Sequence, residues 1–436
     1  MKTHRNHRDG STPPLRVPPF PFWLPAMARN IITLATRNIL RNRRRSALSV
    51  TAIALAACTI TLLFALLEGI RADVRHNSWN YETGEVRLRH ALFDRYEHLN
   101  PLHYTVAEAD LLLPALRSLD QTHRVSPRVH IQGATFRGEE MIPSRGIGID
   151  LDREGEDLDL ERLLLSGRLP RPGTSEALVG AGLAEKLGLS PGEPFTVLTT
   201  TRLRSSNAFT LDVTGLVAFP LGHMNQTSYL LPLETAGRYL RMEGGVSEIL
   251  ISGTGSDTPG LVRAVEEVLQ AQGLDQLRPL PWTEVSGGYR YLQVADIIYR
   301  IIALCFFLVG SSVIVNTTMM TIHERTREIG TLSALGMSEG TLVRLFFTEA
   351  SLLGTLGSLA GVLAGSLLIL PAQIGGIDFG SRLDMVEIDI SSVIHPLLNL
   401  QSTLGVFCYS LAVALAASYL PARRAAGLPP VEALRA

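Results

Sequence analysis

Lysine is almost missing from this chain of 436 residues: Lys2 and Lys186 are the only two, so nearly all of the 40 Lys and Arg residues are arginine. Neither lysine follows a glycine-rich loop ending in Gly-Lys-Ser/Thr, which removes the backbone cradle that holds nucleotide phosphates in P-loop proteins. The chain is therefore not itself the ATPase of such a system. Cysteine is scarce as well. Cys58, Cys305 and Cys408 all fall in apolar stretches, so the long polar part of the chain must hold together without disulfides. The 11 histidines form no H-x-x-x-H pair and have no cysteine partners, which gives a metal site no support. One G-x-S-x-G stretch, residues 188–192, would expose a nucleophilic serine if it joined a strand to a following helix. Here the pattern puts a helix before it and a strand after it, and Pro191 suits a turn. No catalytic residue is assigned.

Charge is also missing from four apolar stretches, and these decide the class. A composition of 46% hydrophobic residues with a net charge of -1 fits a soluble or a membrane protein equally. Residues 46–67, 301–322, 350–370 and 401–420, however, each approach the roughly 20 residues a helix needs to cross hydrocarbon. Arginines flank them unevenly. Arg29, Arg37, Arg41, Arg43, Arg44 and Arg45 precede the first run, Arg325, Arg327 and Arg344 flank the loop between the second and third, and Arg423, Arg424 and Arg435 follow the fourth. Only Arg382 lies between the third and fourth. Cationic side chains beside spans stay cytoplasmic, which places both termini and the middle loop inside. The position of the arginine cluster against a span argues against a nucleic-acid patch.

The expected fold class is thus a membrane protein of four transmembrane α-helices, one plus three, with a large extracytoplasmic α+β domain inserted between the first and second span. The boundaries read as a cytoplasmic N-terminal tail and amphipathic helix (1–45), first span (46–70), outer domain (71–296), second span (297–322), cytoplasmic coupling loop (323–344), third span (345–370), short outer loop (371–400), fourth span (401–420) and cytoplasmic tail (421–436). Residues 1–26 are proline-rich and lack the apolar core and cleavage site of a signal peptide. Met27 is read as the true start, with a disordered cytoplasmic tail as the alternative. Between residues 30 and 45, Ile31, Ile32, Leu34, Ala35, Ile39 and Leu40 alternate with arginines at helical spacing, as in a helix lying on the inner membrane surface.

In the outer segment the runs GEVRLRH, EALVG, PFTVLTT, FTLDVTGLVAF and VSEILIS read as strands, and residues 108–119, 183–187 and 261–272 as helices. Asp296 and Arg300 sit near the outer end of the second span, where Arg300 snorkels or the helix stands above the bilayer as a stalk. In the third span Gly357, Gly361 and Gly365 form two overlapping G-x-x-x-G units, which let another helix approach closely either within the chain or across a dimer. Glu349, at the cytoplasmic edge of that span, either pairs with a nearby arginine or reaches the headgroups. The loop HERTREIGTLSALGMSEGTLVRLFFTEA gives a short helix with Ile329, Leu332 and Leu335 on one side, a break at Gly336, and Ser338 placed to cap the next helix. The apolar side would offer a ridge to a cytoplasmic partner.

This loop resembles the signature of the FtsX/MacB/LolCE group of ABC transporter permeases: a basic residue, then Arg-Glu-Ile-Gly, then Leu-x-Ala-Leu-Gly. The matching residues are Arg325, Arg327, Glu328, Ile329, Gly330, Leu332, Ala334, Leu335 and Gly336, with Ser333 where the family often has a basic residue. The tail YLPARRAAGLPPVEALRA is similar to the family's second signature through Pro421, Arg423, Arg424, Pro430, Ala433, Leu434 and Arg435. The resemblance implies that two permease chains, identical or paralogous, pair in the inner membrane of a bacterium. Two copies of an ABC ATPase, which hold the ATP and Mg, would dock on the loop helices, and their closure would move periplasmic domains. No cofactor is implied in this chain. MacB-type chains usually carry their own ATPase and FtsX-type chains have a much smaller outer domain, so the lipoprotein-releasing LolCE type is the most similar. Export of another amphiphile or peptide, and control of envelope enzymes, are the alternatives. The residues that touch substrate are not legible.

Overall fold

The computed structural model of the protein describes residues 24–96, 101–254, 257–379, 391 and 393–427. Six helices frame it: α1 Leu24–Arg41, α2 Arg43–Asn77, α3 Gly287–Glu324, α4 Thr326–Ala334, α5 Glu339–Gly375 and α6 Leu400–Ala426. Four of these, α2, α3, α5 and α6, are long and apolar enough to cross a membrane. They outrun the expected spans. The first span was expected to end at residue 70 and the second to begin at 297, but α2 continues to Asn77 and α3 already starts at Gly287. Hydropathy marks where hydrocarbon would end, whereas the helix continues for as long as its residues keep bonding i to i−4. The expected tail likewise begins inside a helix, since α6 runs through Pro421 to Ala426.

Contacts divide the chain into two units, one of residues 1–58, 306–363 and 405–436, the other of residues 59–305 and 364–404. In the first unit, small residues set the helix packing. A Cβ on Gly361 would lie 2.3 Å from the carbonyl oxygen of Ala54, and one on Gly357 would lie 2.7 Å from Ile53 Cβ, so α5 presses its glycines directly against α2. Gly354 faces Ala414 of α6 in the same way. Ser49 Oγ of α2 and Thr317 Oγ1 of α3 share a hydrogen bond of 2.9 Å. Two glycines of the G-x-x-x-G run are thus engaged within the chain. Gly365 is also buried. The opposite faces carry exposed Leu55, Leu308, Leu363 and Leu420, a surface suited to lipid tails.

The second unit is built on a mixed sheet: β1 Val86–His90, β2 Thr122–Arg137, β3 Glu140–Ile149, β4 Leu164–Gly167, β5 Glu176–Gly180, β6 Pro194–Thr200, β7 Ser206–Val217, β8 Ser228–Pro232, β9 Glu248–Gly253 and β10 Leu277–Pro281. The order is β10-β1-β9-β2-β3-β8-β5-β7-β4, with β6 pairing β2 and β7. The pairs β3–β8 and β5–β7 are parallel and the rest antiparallel. Strand β2 joins the two halves, pairing β9 through its first residues and β3 and β6 through its last. On one face Val86, Leu88, Val129, Ile131, Val197 and Ile249 pack under helices Ala109–Arg117, Ala181–Leu187, Leu233–Leu240 and Thr258–Ala271. A second core gathers Ile147, Ile149, Leu160, Leu178, Phe219 and Leu230. After α5, Ile377–Asp378 and Val393–Ile394 form a two-stranded ribbon.

Candidate functional site

Helix α4 carries the loop signature. It ends where Gly336 enters the left-handed region at φ +91°, with Met337 N donating to Leu332 O and Gly336 N to Ser333 O, both at 3.0 Å. That is a Schellman closure, which needs a residue without a Cβ at this position. Ser338 does not cap the next helix with its side chain; its hydroxyl pairs with Thr341 Oγ1 at 2.9 Å.

The apolar ridge expected to meet a partner turns inward instead. Ile329 is buried with Ile322, Leu342, Phe346 and Ala422, and Leu332 packs against the same cluster. Helix α4 is thereby seated on α3, α5 and α6 through apolar contacts with Ile322, Leu342, Phe346 and Ala422. What remains outward is Arg327, Glu328, Ala334, Gly336 and Leu335, the last 80% exposed. Gly330 is buried.

Arg325 also points inward. It is 6% exposed, with Nη1 3.5 Å from Glu349 Oε1 and Nη2 donating to Asn38 O at 3.3 Å. Asn38 donates to Glu349 in turn, so Glu349 pairs with an arginine inside the bundle. These groups, with Ser49, Thr317 and Ser418, form the polar part of a cavity of about 60 Å³ whose remaining wall is apolar, enough for a few waters. Arg41 Nη2 donates to both carboxylate oxygens of Glu328, at 2.7 and 2.8 Å, and Arg45 pairs with Glu324, tying the arginine-rich segment before the first span to α3 and α4. Of the tail residues, Pro421 is buried and Arg423 and Arg424 are exposed, while Pro430, Ala433, Leu434 and Arg435 lie outside the described residues.

In the second unit an open groove of about 420 Å³ is lined by Glu68, Arg71, Trp282, Tyr289, Leu292 and Asp296, among others. Trp282 and Tyr289 meet edge to face at 5.0 Å, and Arg71 bridges Glu68 and Asp296. Arg300 pairs with Asp296 at 2.5 Å. The groove is amphiphilic, with aromatic and aliphatic walls and an ionic rim of balanced charge.

Sequence reasoning missed a buried ionic layer on one face of the sheet. Arg89 and His130 both bond the carboxylate of Glu248, and Arg128 bonds Glu154 at 3.0 Å, all within 5% exposure. Burial pushes Glu248 up, but Arg89, then His130 and Arg87, outweigh it and hold the carboxyl well below its ordinary range. Burial dominates at His130 and lowers it to about 4, so a neutral ring donates Nε2–H to Glu248. The signal was the period-two spacing of Arg87 and Arg89 in β1 and of Arg124, Ser126, Arg128 and His130 in β2, a pattern that ordinarily marks a solvent face. Among the described residues, no group of three or more His, Cys, Asp or Glu could hold a metal ion.

Comparison with known families bears directly on these two units. Residues 46–268, just over half the chain, match the MacB-like periplasmic core domain, and residues 300–430 match the FtsX-like permease C-terminal domain. The chain belongs to the FtsX/MacB group of ABC transporter permeases. Over 133 residues, 30% of its length, the permease is 38% identical to the pyoverdine export ATP-binding/permease protein PvdT of Pseudomonas aeruginosa. Over 216 residues, 49% of its length, it is 27% identical to the macrolide export ATP-binding/permease protein MacB of Sodalis glossinidius. These matches span 18% and 31% of the two relatives, so the permease covers less than a third of either. Among solved structures, the periplasmic region of MacB from Actinobacillus actinomycetemcomitans aligns at TM-score 0.32 and 15% identity, over 46% of the permease and 89% of that chain. Four apolar helices and a periplasmic-type α+β domain fit a protein of the inner membrane.

Proposed function

We propose that the permease passes the motion of a separate, ATP-hydrolysing subunit to its outer domain, with both termini and residues 323–344 in the cytoplasm and the sheet in the periplasm. The observation that carries this reading is helix α4: seated on α3, α5 and α6 by Ile329 and Leu332, it offers Arg327, Glu328 and Leu335 outward. A push on that face reaches the long helices because the helix cannot slide without opening an apolar contact. Two ATPase copies, which hold the ATP and Mg, and a second permease chain, identical or paralogous, complete the working unit. The G-x-x-x-G face is engaged within the chain, so a partner permease would use other surfaces.

The substrate is an amphiphile, which suits the groove at Trp282 and Tyr289 with its ionic rim. Release of an acylated lipoprotein from the membrane is the first reading. Export of a smaller amphiphile is the second, favoured by the pyoverdine and macrolide exporters among its relatives. The test is reconstitution in lipid with the ATPase subunit, measuring ATP-dependent transfer of an acylated lipoprotein to a soluble acceptor. Leu335→Asp puts a charge on the docking face without touching the core and is expected to lower transfer and ATPase association at least ~tenfold. Transfer indifferent to ATP, or an unaffected Leu335→Asp complex, would sink the coupling reading. ATP hydrolysis stimulated by a small amphiphile but not by lipoprotein would move the substrate to the second reading.

A further inference from the structure

Helix α2 does not stop cleanly at Asn77 but passes into a π-helical turn, Ser78–Glu82, before the chain enters β1. Such turns are rare and are frequently found at functional sites. The carbonyls at the end of a helix lack intrahelical donors and carry the negative end of its dipole. Here two arginines of β2 supply the donors. Arg128 gives Nη2 to Asn80 O at 2.8 Å and Nη1 to Tyr81 O at 3.0 Å. Arg124 gives Nη2 to Trp79 O at 3.2 Å and to Asn80 Oδ1 at 2.8 Å.

The guanidinium of Arg128 is 2% exposed and is steadied by Glu154, equally buried, on helix Leu151–Asp157. Tyr81 OH donates to Leu158 O just beyond that helix, and Ser78 Oγ meets Ser286 Oγ, at the start of α3, at 3.0 Å. One carboxylate oxygen of Glu154 and Nε of Arg128 have no hydrogen-bond partner among the described residues. A buried ion pair left short of partners is a poor way to add stability, since apolar side chains of similar volume would cost less. Its geometry, by contrast, is specific: the planar fork spans two successive carbonyls and fixes the end of α2 to the central strand of the sheet.

We infer that Arg128, with Arg124 beside it and Glu154 behind it, is the positioning residue through which movement of α2 reaches the sheet, the π-helical turn serving as the joint and the guanidinium as the clamp. This rests on the transmission reading above. Strand β2 pairs β9, β3 and β6, so a displacement applied at Arg128 is delivered to both halves of the sheet at once. A lysine at this position would keep the charge but satisfy one carbonyl with one point donor, leaving the turn free to rotate.

The experiment is hydrogen exchange of the full chain in lipid nanodiscs with its ATPase, with and without ATP and vanadate. Wild type is expected to change its exchange in β2 and β9 on trapping. Arg128→Gln should speed exchange of residues 78–83 at least ~tenfold, as expected from losing charged hydrogen bonds. It should also abolish the trapping response in β2 and β9, with β5 and β8 still protected and ATP turnover continuing. Arg128→Lys should fall between the two. A trapping response kept by Arg128→Gln overturns the clamp alone, and loss of protection in β5 and β8 as well shows a merely structural role and overturns it too. Wild type without any trapping response overturns the transmission reading, and the role of Arg128 falls with it.

Discussion

At His130, acid and fold are in direct conflict. The ring lies in the sheet between Glu248 and the cations Arg89 and Arg145, and burial lowers its pKa from 6.5 to about 4. The unfolded chain therefore binds a proton that the folded chain refuses, and stability is lost as pH falls from 6.5 towards 4, after which the loss is constant. The drop amounts to about 3 kcal/mol at full extent. Glu154 works in the other direction: burial raises it, ahead of the lowering by Arg128, so its protonation on acidification adds stability. The difference between wild type and His130→Asn isolates the histidine. Denaturant midpoints of the full chain, followed from neutral pH into mild acid, should show a steeper fall for wild type. Parallel curves would place the His130 proton elsewhere. The strand reading took in Arg89 and Glu248 but not His130, Arg128 or Glu154, and alternation reveals which residues share a face but not whether another layer covers it.

The elements themselves were legible to differing degrees. The runs at 84–90, 176–180, 194–200, 209–219 and 246–252 read as strands and 108–119, 183–187 and 261–272 as helices, and β1, β5, β6, β7 and β9 and the helices Ala109–Arg117, Ala181–Leu187 and Thr258–Ala271 overlap them, because each keeps one periodicity against a single core. Strand β2, the longest of the sheet, was not read: arginine, histidine, Pro127 and Gly133 hide its apolar positions, and its two halves serve different neighbours. Small-residue spacing in α5 was visible, its target was not. Since a Cβ at Gly361 would meet the Ala54 carbonyl at 2.3 Å, Gly361→Leu should force α2 and α5 apart and cost about 2 kcal/mol or more. Gly405 of α6 has nothing within 4 Å of a built Cβ, so Gly405→Ala should be neutral or stabilising by about 0.5–1 kcal/mol. Thermal melting of both variants in detergent checks the pair. Equal melting temperatures would mean that the α2–α5 contact does not hold the bundle together.

For the molecule as a whole, the proposed role of the groove at Trp282 and Tyr289 gives the prediction that matters most. Tyr289→Ala removes one aromatic wall and should raise the concentration of amphiphile needed for half-maximal stimulation of ATP hydrolysis about five- to tenfold. An unchanged stimulation curve would move the substrate away from Trp282 and Tyr289. The class of the protein was readable from the chain alone, because hydropathy, arginine placement and the loop and tail signatures are properties of contiguous residues. Residue pairings were not readable. Ile329 and Leu332 have the composition of a docking ridge, yet they fill a notch made by helices distant in sequence. Arg325 and Arg128 carry the charge of surface residues, yet each is buried against a carboxylate from another element. A side chain's periodicity is set locally by helix or strand geometry, whereas its environment is set by whichever elements close over it, and that only the tertiary structure decides.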